Sequence, residues 1–169
     1  TFSTIQNAID AASSGDTIIV FNKPSGQLWL ENIVIDKQIF LENANSDERF
    51  NKLDGDIQIV PSDGLKLFFV GLDLQNGHKI YTSSSANDPE NRCEISIIDC
   101  TMDEVEFEDN YLKIRLLDSS IDNVKFRYGI MAGCSGNDLT ISKGNSTEST
   151  DSIVIVGNTG YDGVIDSYY

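Results

Sequence analysis

The sequence predicts an all-β fold, in which stacked strands form a solenoid that a short helix closes at one end. Three observations lead there: an amphipathic first segment that runs into a β-branched stretch, a repeat in the second half, and an apolar fraction of 40%. A chain of 169 residues is about one domain. We therefore assign residues 1–169 to a single domain, with a cap at 1–16 and coils at 17–169.

The first segment has the pattern of a capped helix followed by a strand. Ser3 and Gln6 have the spacing of a capping box, Gly15 supplies a stop signal, and residues 17–20 are mostly β-branched. Because so short a helix is marginal alone in water, its apolar side should dock on the end of the strand stack. That side consists of Ile5, Ala8, Ile9 and Ala12.

The repeat is clearest where EISIIDCTMDEVEFED from Glu94 is laid over KIRLLDSSIDNVKFRY from Lys113, an offset of 113 − 94 = 19 residues. Weaker copies begin at 67, 131 and 153, and we expect about seven coils of roughly 22 residues. Five apolar pairs fall in register and are predicted to line the interior: Ile95 with Ile114, Ile97 with Leu116, Met102 with Ile121, Val105 with Val124, and Phe107 with Phe126.

Residues 26–44, GQLWLENIVIDKQIFLENA, carry a family resemblance. With the first segment they resemble the cap and first coils of right-handed parallel β-helix proteins, the pectate-lyase-like group; Gln38 stands where that group usually has Pro. The resemblance implies a right-handed parallel β-helix plugged by the helix. It implies little about activity, because one fold supports many functions.

The 19-residue register also orders the outward charges. Arg115 falls beneath Ser96, without a carboxylate above it, and is therefore the better candidate for a ligand contact. With the resemblance to lyases, Arg115 and Lys113 become the candidate catalytic residues. Opposite charges face each other in three predicted pairs: Glu94 with Lys113, Glu106 with Lys125, and Glu108 with Arg127.

Two aspartate pairs are stacked in the same register, Asp99 on Asp118 and Asp103 on Asp122. Carboxylates about 5 Å apart repel by on the order of 1 kcal/mol in water. A bound calcium ion would offset this repulsion, and β-helix lyases that this chain resembles use calcium to acidify a uronate proton. The alternative is that these aspartates face solvent or cap turn amides.

The net charge of the chain disfavours several classes of binding partner. With 27 acidic and 12 basic residues the net charge is −15, which disfavours nucleic acid, anionic membranes and polyanionic glycans. Polysaccharide is the expected partner: a neutral glycan carries no such penalty, and an acidic one would need calcium or a local basic strip. Trp29, Tyr111 and Tyr128 are the candidate sugar-stacking residues, and core filling is the alternative for such rings. No segment reaches the length of a membrane span, and the C-terminal Tyr168–Tyr169 pair suggests self-association at that end.

The cysteines and the polar segments complete the predictions. Cys100 and Cys134 occupy equivalent positions two coils apart, too far for a disulfide, and are predicted to be buried and free. Cys93 is predicted to be exposed and His78 to lie in a surface turn. Polar loops are expected at 44–56, 82–92 and 143–151.

These observations predict a secreted or cell-surface module that interacts with carbohydrate and lacks a complete catalytic set. One alternative is a calcium-dependent polysaccharide lyase. Another is a structural rod of an adhesin or a phage tail protein.

Overall fold

A computed structural model describes residues 1–24, 27–44, 51–74, 76–83, 92–107, 112–142 and 153–165. Helix α1 covers Ile5–Ala11. The strands are β1 (Asp16–Val20), β2 (Trp29–Leu30), β3 (Ile33–Ile35), β4 (Ile39–Asn43), β5 (Asn51–Asp54), β6 (Ile57–Ile59), β7 (Lys66–Val70), β8 (Leu72–Leu74), β9 (Lys79–Thr82), β10 (Cys93–Ile98), β11 (Thr101–Phe107), β12 (Leu112–Leu117), β13 (Ser120–Phe126), β14 (Gly129–Ala132), β15 (Asp138–Ile141), β16 (Ile153–Val156) and β17 (Asp162–Ile165).

The strands form two parallel sheets, which confirms the all-β prediction. The first sheet has the order β1-β4-β7-β10-β12-β14-β16. The second has the order β17-β15-β13-β11-β8-β5-β2, and a short row β3-β6-β9 joins it at β11. Buried apolar residues of both sheets form one cluster, so the core lies between the sheets.

The 19-residue register is confirmed by the strand pairing. Strand β10 pairs with β12, and β11 with β13, in the predicted alignment. All of the predicted interior side chains are at most 2% exposed. Alternate residues of β7, β12 and β15 face the core, because successive side chains point to opposite sides of a strand.

A column of left-handed backbone marks the corner that follows the strands of the first sheet. Glycine adopts this conformation freely, and Asp does so more readily than most residues. The corner is therefore a backbone reason for aspartates in the repeat. Its members have φ between 49° and 67°: Gly71, Asp99, Asp118, Gly133 and Gly157.

The residues after this column form a hydrogen-bonded ladder, which we call the corner ladder: Cys100, Ser119, Cys134 and Asn158. The backbone N–H of Cys100 donates to Ser119 Oγ at 3.1 Å, and that of Cys134 donates to Asn158 Oδ1 at 2.7 Å. Ser119 Oγ donates in turn to the Leu117 carbonyl at 2.8 Å. Side chains of the ladder thus bond backbone groups at the edge of the core, where Cys100, Ser119 and Cys134 are at most 3% exposed.

The helix cap lies one residue later than predicted. The N-cap is Thr4, not Ser3, and its side chain accepts a hydrogen bond from the Asn7 N–H at 3.1 Å. The Gln6 side chain, expected to close a capping box, instead bonds both backbone groups of Val34. Glu31 accepts from two N–H groups of the first turn, so a residue of the next coil completes the cap.

The end of the helix also differs from the prediction. The helix ends at Ala11, and Ala12 is already extended with φ −74° and ψ 149°. Gly15 lies in the turn beyond, with φ 95°, and its N–H donates to the Gln38 carbonyl at 2.8 Å. Ile5 and Ile9 are buried as expected, so α1 docks its apolar side against the sheets.

Two further expectations were wrong. Cys93 is fully buried, because it is the first residue of β10 and faces the core. The segment 44–56 is not wholly a loop, because β5 lies within it and pairs with β2 and β8. Cys100 and Cys134 are buried and free, as predicted.

Candidate functional site

A groove of about 770 Å³ lies between α1 and β1 and includes the predicted residue Trp29. This volume is in the usual range for small-molecule sites. Its aromatic lining residues are Phe2, Phe21 and Trp29, and its charged lining residues are Asp16 and Lys23. The groove therefore combines apolar walls with groups of both charges.

The contacts of Trp29 hold its ring partly covered. Its Nε1–H donates to the Phe21 carbonyl at 3.2 Å, and Lys23 Nζ lies 4.2 Å from the ring centroid. The ring also packs partly against the core. Phe2 and Phe21 are 52% and 66% exposed, so their rings, more than that of Trp29, are open to a ligand.

Tyr128 and Tyr111 are the other two predicted sugar-stacking residues. Tyr128 is buried, and the guanidinium carbon of Arg92 lies 5.4 Å from its ring centroid. Its hydroxyl is buried, and the described part of the chain gives it no hydrogen-bond partner. Tyr111 lies outside the described residues.

Arg115 and Lys113 lie on β12, in the predicted register. Arg115 is exposed and pairs in register with Ser96. Lys113 faces Glu94, with Nζ 3.9 Å from Oε1. Both alternate with core residues of β12, so they share the outer face of the first sheet.

The two predicted aspartate pairs lie in different parts of the fold. Asp99 and Asp118 are exposed members of the left-handed corner column. Asp103 and Asp122 lie on the second sheet, and the Asp103 carboxylate accepts a hydrogen bond from the Gly77 N–H. Across the described ranges, no three His, Cys, Asp or Glu side chains are placed to hold one metal ion.

A histidine between two carboxylates is a cluster that the sequence reasoning missed. His78 Nδ1 lies 3.0 Å from Asp56 Oδ1, and Nε2 lies 2.9 Å from Asp54 Oδ1. The His78 side chain is 30% exposed. Only an imidazolium has an N–H on both nitrogens, so the doubly protonated form is the one that donates to both partners. The available signal was the spacing, since Asp54 and Asp56 precede His78 by about one coil.

An ion-pair row continues from this cluster along the second sheet. Lys79 Nζ lies 2.5 Å from Glu106 Oε2, and Lys125 lies 3.8 Å from the same carboxylate. The hydrogen bond to Glu106 raises the pKa of Lys79, and the hydrogen bond from Lys79 lowers the pKa of Glu106. The predicted Glu106–Lys125 pair is thus present, while Glu108 lies outside the described residues.

No helix in the described ranges has the length and apolar character needed to cross a bilayer. Comparison of the chain with protein-family models, with curated proteins and with solved structures gave no match.

Proposed function

We propose that this chain is a carbohydrate-binding module that holds a neutral oligosaccharide in the groove between α1 and β1. The observation that carries the proposal is the pair of exposed rings, Phe2 and Phe21, beside Trp29 in a groove of about 770 Å³. Sugar rings have apolar faces that stack on such side chains. Asp16 and Lys23 at the same groove offer an acceptor and a donor for sugar hydroxyls.

The charge of the chain supports a neutral ligand over a polyanion. The net charge of −15 opposes the approach of polyuronates. The two charged groove residues are of opposite sign, so the groove presents no excess positive charge to recruit an acidic polymer. In this proposal the module is secreted or displayed on a cell surface, where polysaccharide is the available partner.

The experiment uses Trp29 as its own reporter, because it is the single tryptophan of the chain. Intrinsic fluorescence is titrated with neutral gluco-, xylo- and manno-oligosaccharides and with oligouronates. We expect a saturable spectral change with one neutral class. Phe21→Ala should weaken this binding about tenfold, or about 1.4 kcal/mol.

Leu30 provides the matched control. It is 72% exposed on β2 and does not line the groove, so Leu30→Ala should leave the binding unchanged. Saturable binding that Phe21→Ala leaves intact would place the site elsewhere. Absence of a spectral change with every sugar would contradict the proposal.

Right-handed β-helix geometry is the architecture that we propose for this module. The chain alternates between two parallel sheets, and each sheet adds strands largely in chain order. Crossovers between parallel strands of one sheet are almost always right-handed. The same regularity would suit the alternative of a structural rod, which predicts no sugar response at all.

The calcium-dependent lyase remains the alternative with an enzymatic reaction, and the exposure of Arg115 favours it. In that alternative Asp99 and Asp118, or Asp103 and Asp122, hold calcium, and Arg115 or Lys113 acts beside the abstracted proton. Calcium would then raise the melting temperature, and Asn at both Asp99 and Asp118, which tolerates the same corner conformation, would remove that rise. Ultraviolet absorbance of unsaturated uronate products, lost in Arg115→Ala, would establish the lyase over the binding module.

A further inference from the structure

The outer face of the first sheet carries an apolar strip beside a charged column of Lys66, Glu94 and Lys113. We call this strip the apolar face and define it by two columns of outward residues on β4 to β16. The first column is Phe40, Phe68, Ser96, Arg115, Ile130 and Val154. The second is Glu42, Val70, Ile98, Leu117, Ala132 and Val156.

Nine of these twelve residues are hydrophobic, and two are charged. The Phe40 and Phe68 rings stack with centroids 4.7 Å apart and planes at 7°. Apart from Ser96, which is buried, these side chains are partly or largely exposed. An apolar strip that runs along six strands of a sheet is unusual for a surface that meets only water.

The outer face of the second sheet shows what a solvated face of this protein looks like. Its matching columns carry six charged residues among eleven: Val34, Gln58, Tyr81, Glu106, Lys125 and Thr140 in one, and Lys79, Glu104, Asn123, Asp138 and Asp162 in the other. Both faces belong to the same two-sheet stack. Their difference therefore reflects what each face contacts and not what the fold requires.

The size of the apolar face fits a stable protein contact. The whole outer face, which adds β1 and the charged column of Lys66, Glu94 and Lys113 to the apolar face, has seven strands. At about 4.8 Å between strands and about five residues of about 3.3 Å per strand, it measures about 34 by 17 Å, or about 570 Å². Two such faces together bury about 1,100 Å², just above the roughly 1,000 Å² of a specific interface.

The charge of the outer face and the regular spacing of its side chains indicate which partner binds there. The charged residues of the outer face are Glu42, Glu94, Lys66, Lys113 and Arg115, and their charges sum to +1. Two chains of net charge −15 can therefore meet here with less repulsion than the rest of their surface causes. A second copy presents the same axial spacing of side chains, and an isologous contact needs only this one patch. We propose that the apolar face pairs with the apolar face of a second copy in a two-fold dimer.

The test is sedimentation velocity on the 169-residue chain over the micromolar range. We expect a dimer, with Val70→Lys and Leu117→Lys each raising its dissociation constant at least about tenfold. Each lysine makes the chain less negative, so lost association cannot come from added repulsion. Thr140→Lys, the same charge change on the outer face of the second sheet, should leave the dimer intact.

A second pair of variants reverses the charge of one outward side chain on each sheet. The melting temperature of each variant serves as the folding control, because Lys125 pairs with Glu104 and Glu106. Arg115→Glu should weaken the dimer, whereas Lys125→Glu, with the same charge change on the second sheet, should not. A wild-type chain that stays monomeric throughout the range would overturn the proposal. So would a dimer that survives all apolar-face variants, as expected for end-to-end association through β16.

Discussion

The corner ladder yields a stability prediction whose size can be worked out atom by atom. Ser119→Ala removes one hydroxyl that is 3% exposed. The Leu117 carbonyl keeps a donor, the Asp99 N–H at 3.1 Å, but the Cys100 N–H loses Ser119 Oγ, its acceptor. Leaving one buried donor unsatisfied costs about 1–3 kcal/mol.

Ser119→Cys is the matched variant, because cysteine already occupies this position in the neighbouring coils, at Cys100 and Cys134. Cys100 Sγ accepts from the Leu72 N–H at 3.4 Å and donates to the Ile98 carbonyl at 3.2 Å. A thiol at 119 can form the same two bonds, so we expect it to cost less than about 1 kcal/mol.

Urea unfolding provides the measurement. With an m-value of about 2 kcal/mol/M, a loss of about 2 kcal/mol moves the midpoint of Ser119→Ala by about 1 M. The slope should stay unchanged, since the folded core is retained. Equal midpoints for wild type and Ser119→Ala, or an equal loss in Ser119→Cys, would refute the reasoning.

Three further predictions concern the core, pH and the thiols. Phe126→Ala empties a fully buried site and should lower the free energy of unfolding by about 3–5 kcal/mol, measured by the same urea titration. The hydrogen bond from Lys79 holds the pKa of Glu106 below its ordinary 4.5, so the pair stabilises the fold above that pH and loses its effect as pH falls through the folded-state value. The melting temperatures of Glu106→Gln and wild type should therefore differ at neutral pH and converge in acid; a constant difference would contradict this. Burial raises the pKa of the Cys100 thiol to about 12, so a thiol reagent at neutral pH should label native protein far more slowly than protein unfolded in urea, and rapid native labelling at Cys100 would count against the buried ladder.

The repeat determined the register from the sequence alone. An offset of 19 residues placed Ile95 beside Ile114 and Glu94 beside Lys113, and both pairings are present. This succeeds because parallel strands of equal coil length stack without gaps, so equal spacing along the chain becomes adjacency in space. The predicted N-cap was wrong by one residue. Ser3 and Thr4 are both favourable capping residues, and contacts of the first turn with Glu31 and Val34 of the next coil accompany the choice of Thr4.

Contacts between coils of unequal length could be identified only from the tertiary structure. His78 meets Asp54 and Asp56 across 24 and 22 residues, spacings that differ from the 19-residue repeat of the second half. Cys93 is buried although polar residues precede it, because the strand alternation that begins at that residue points it inward. Local sequence thus determined which residues alternate and which positions repeat. The lengths of the connections, which local periodicity does not encode, decided which of them meet.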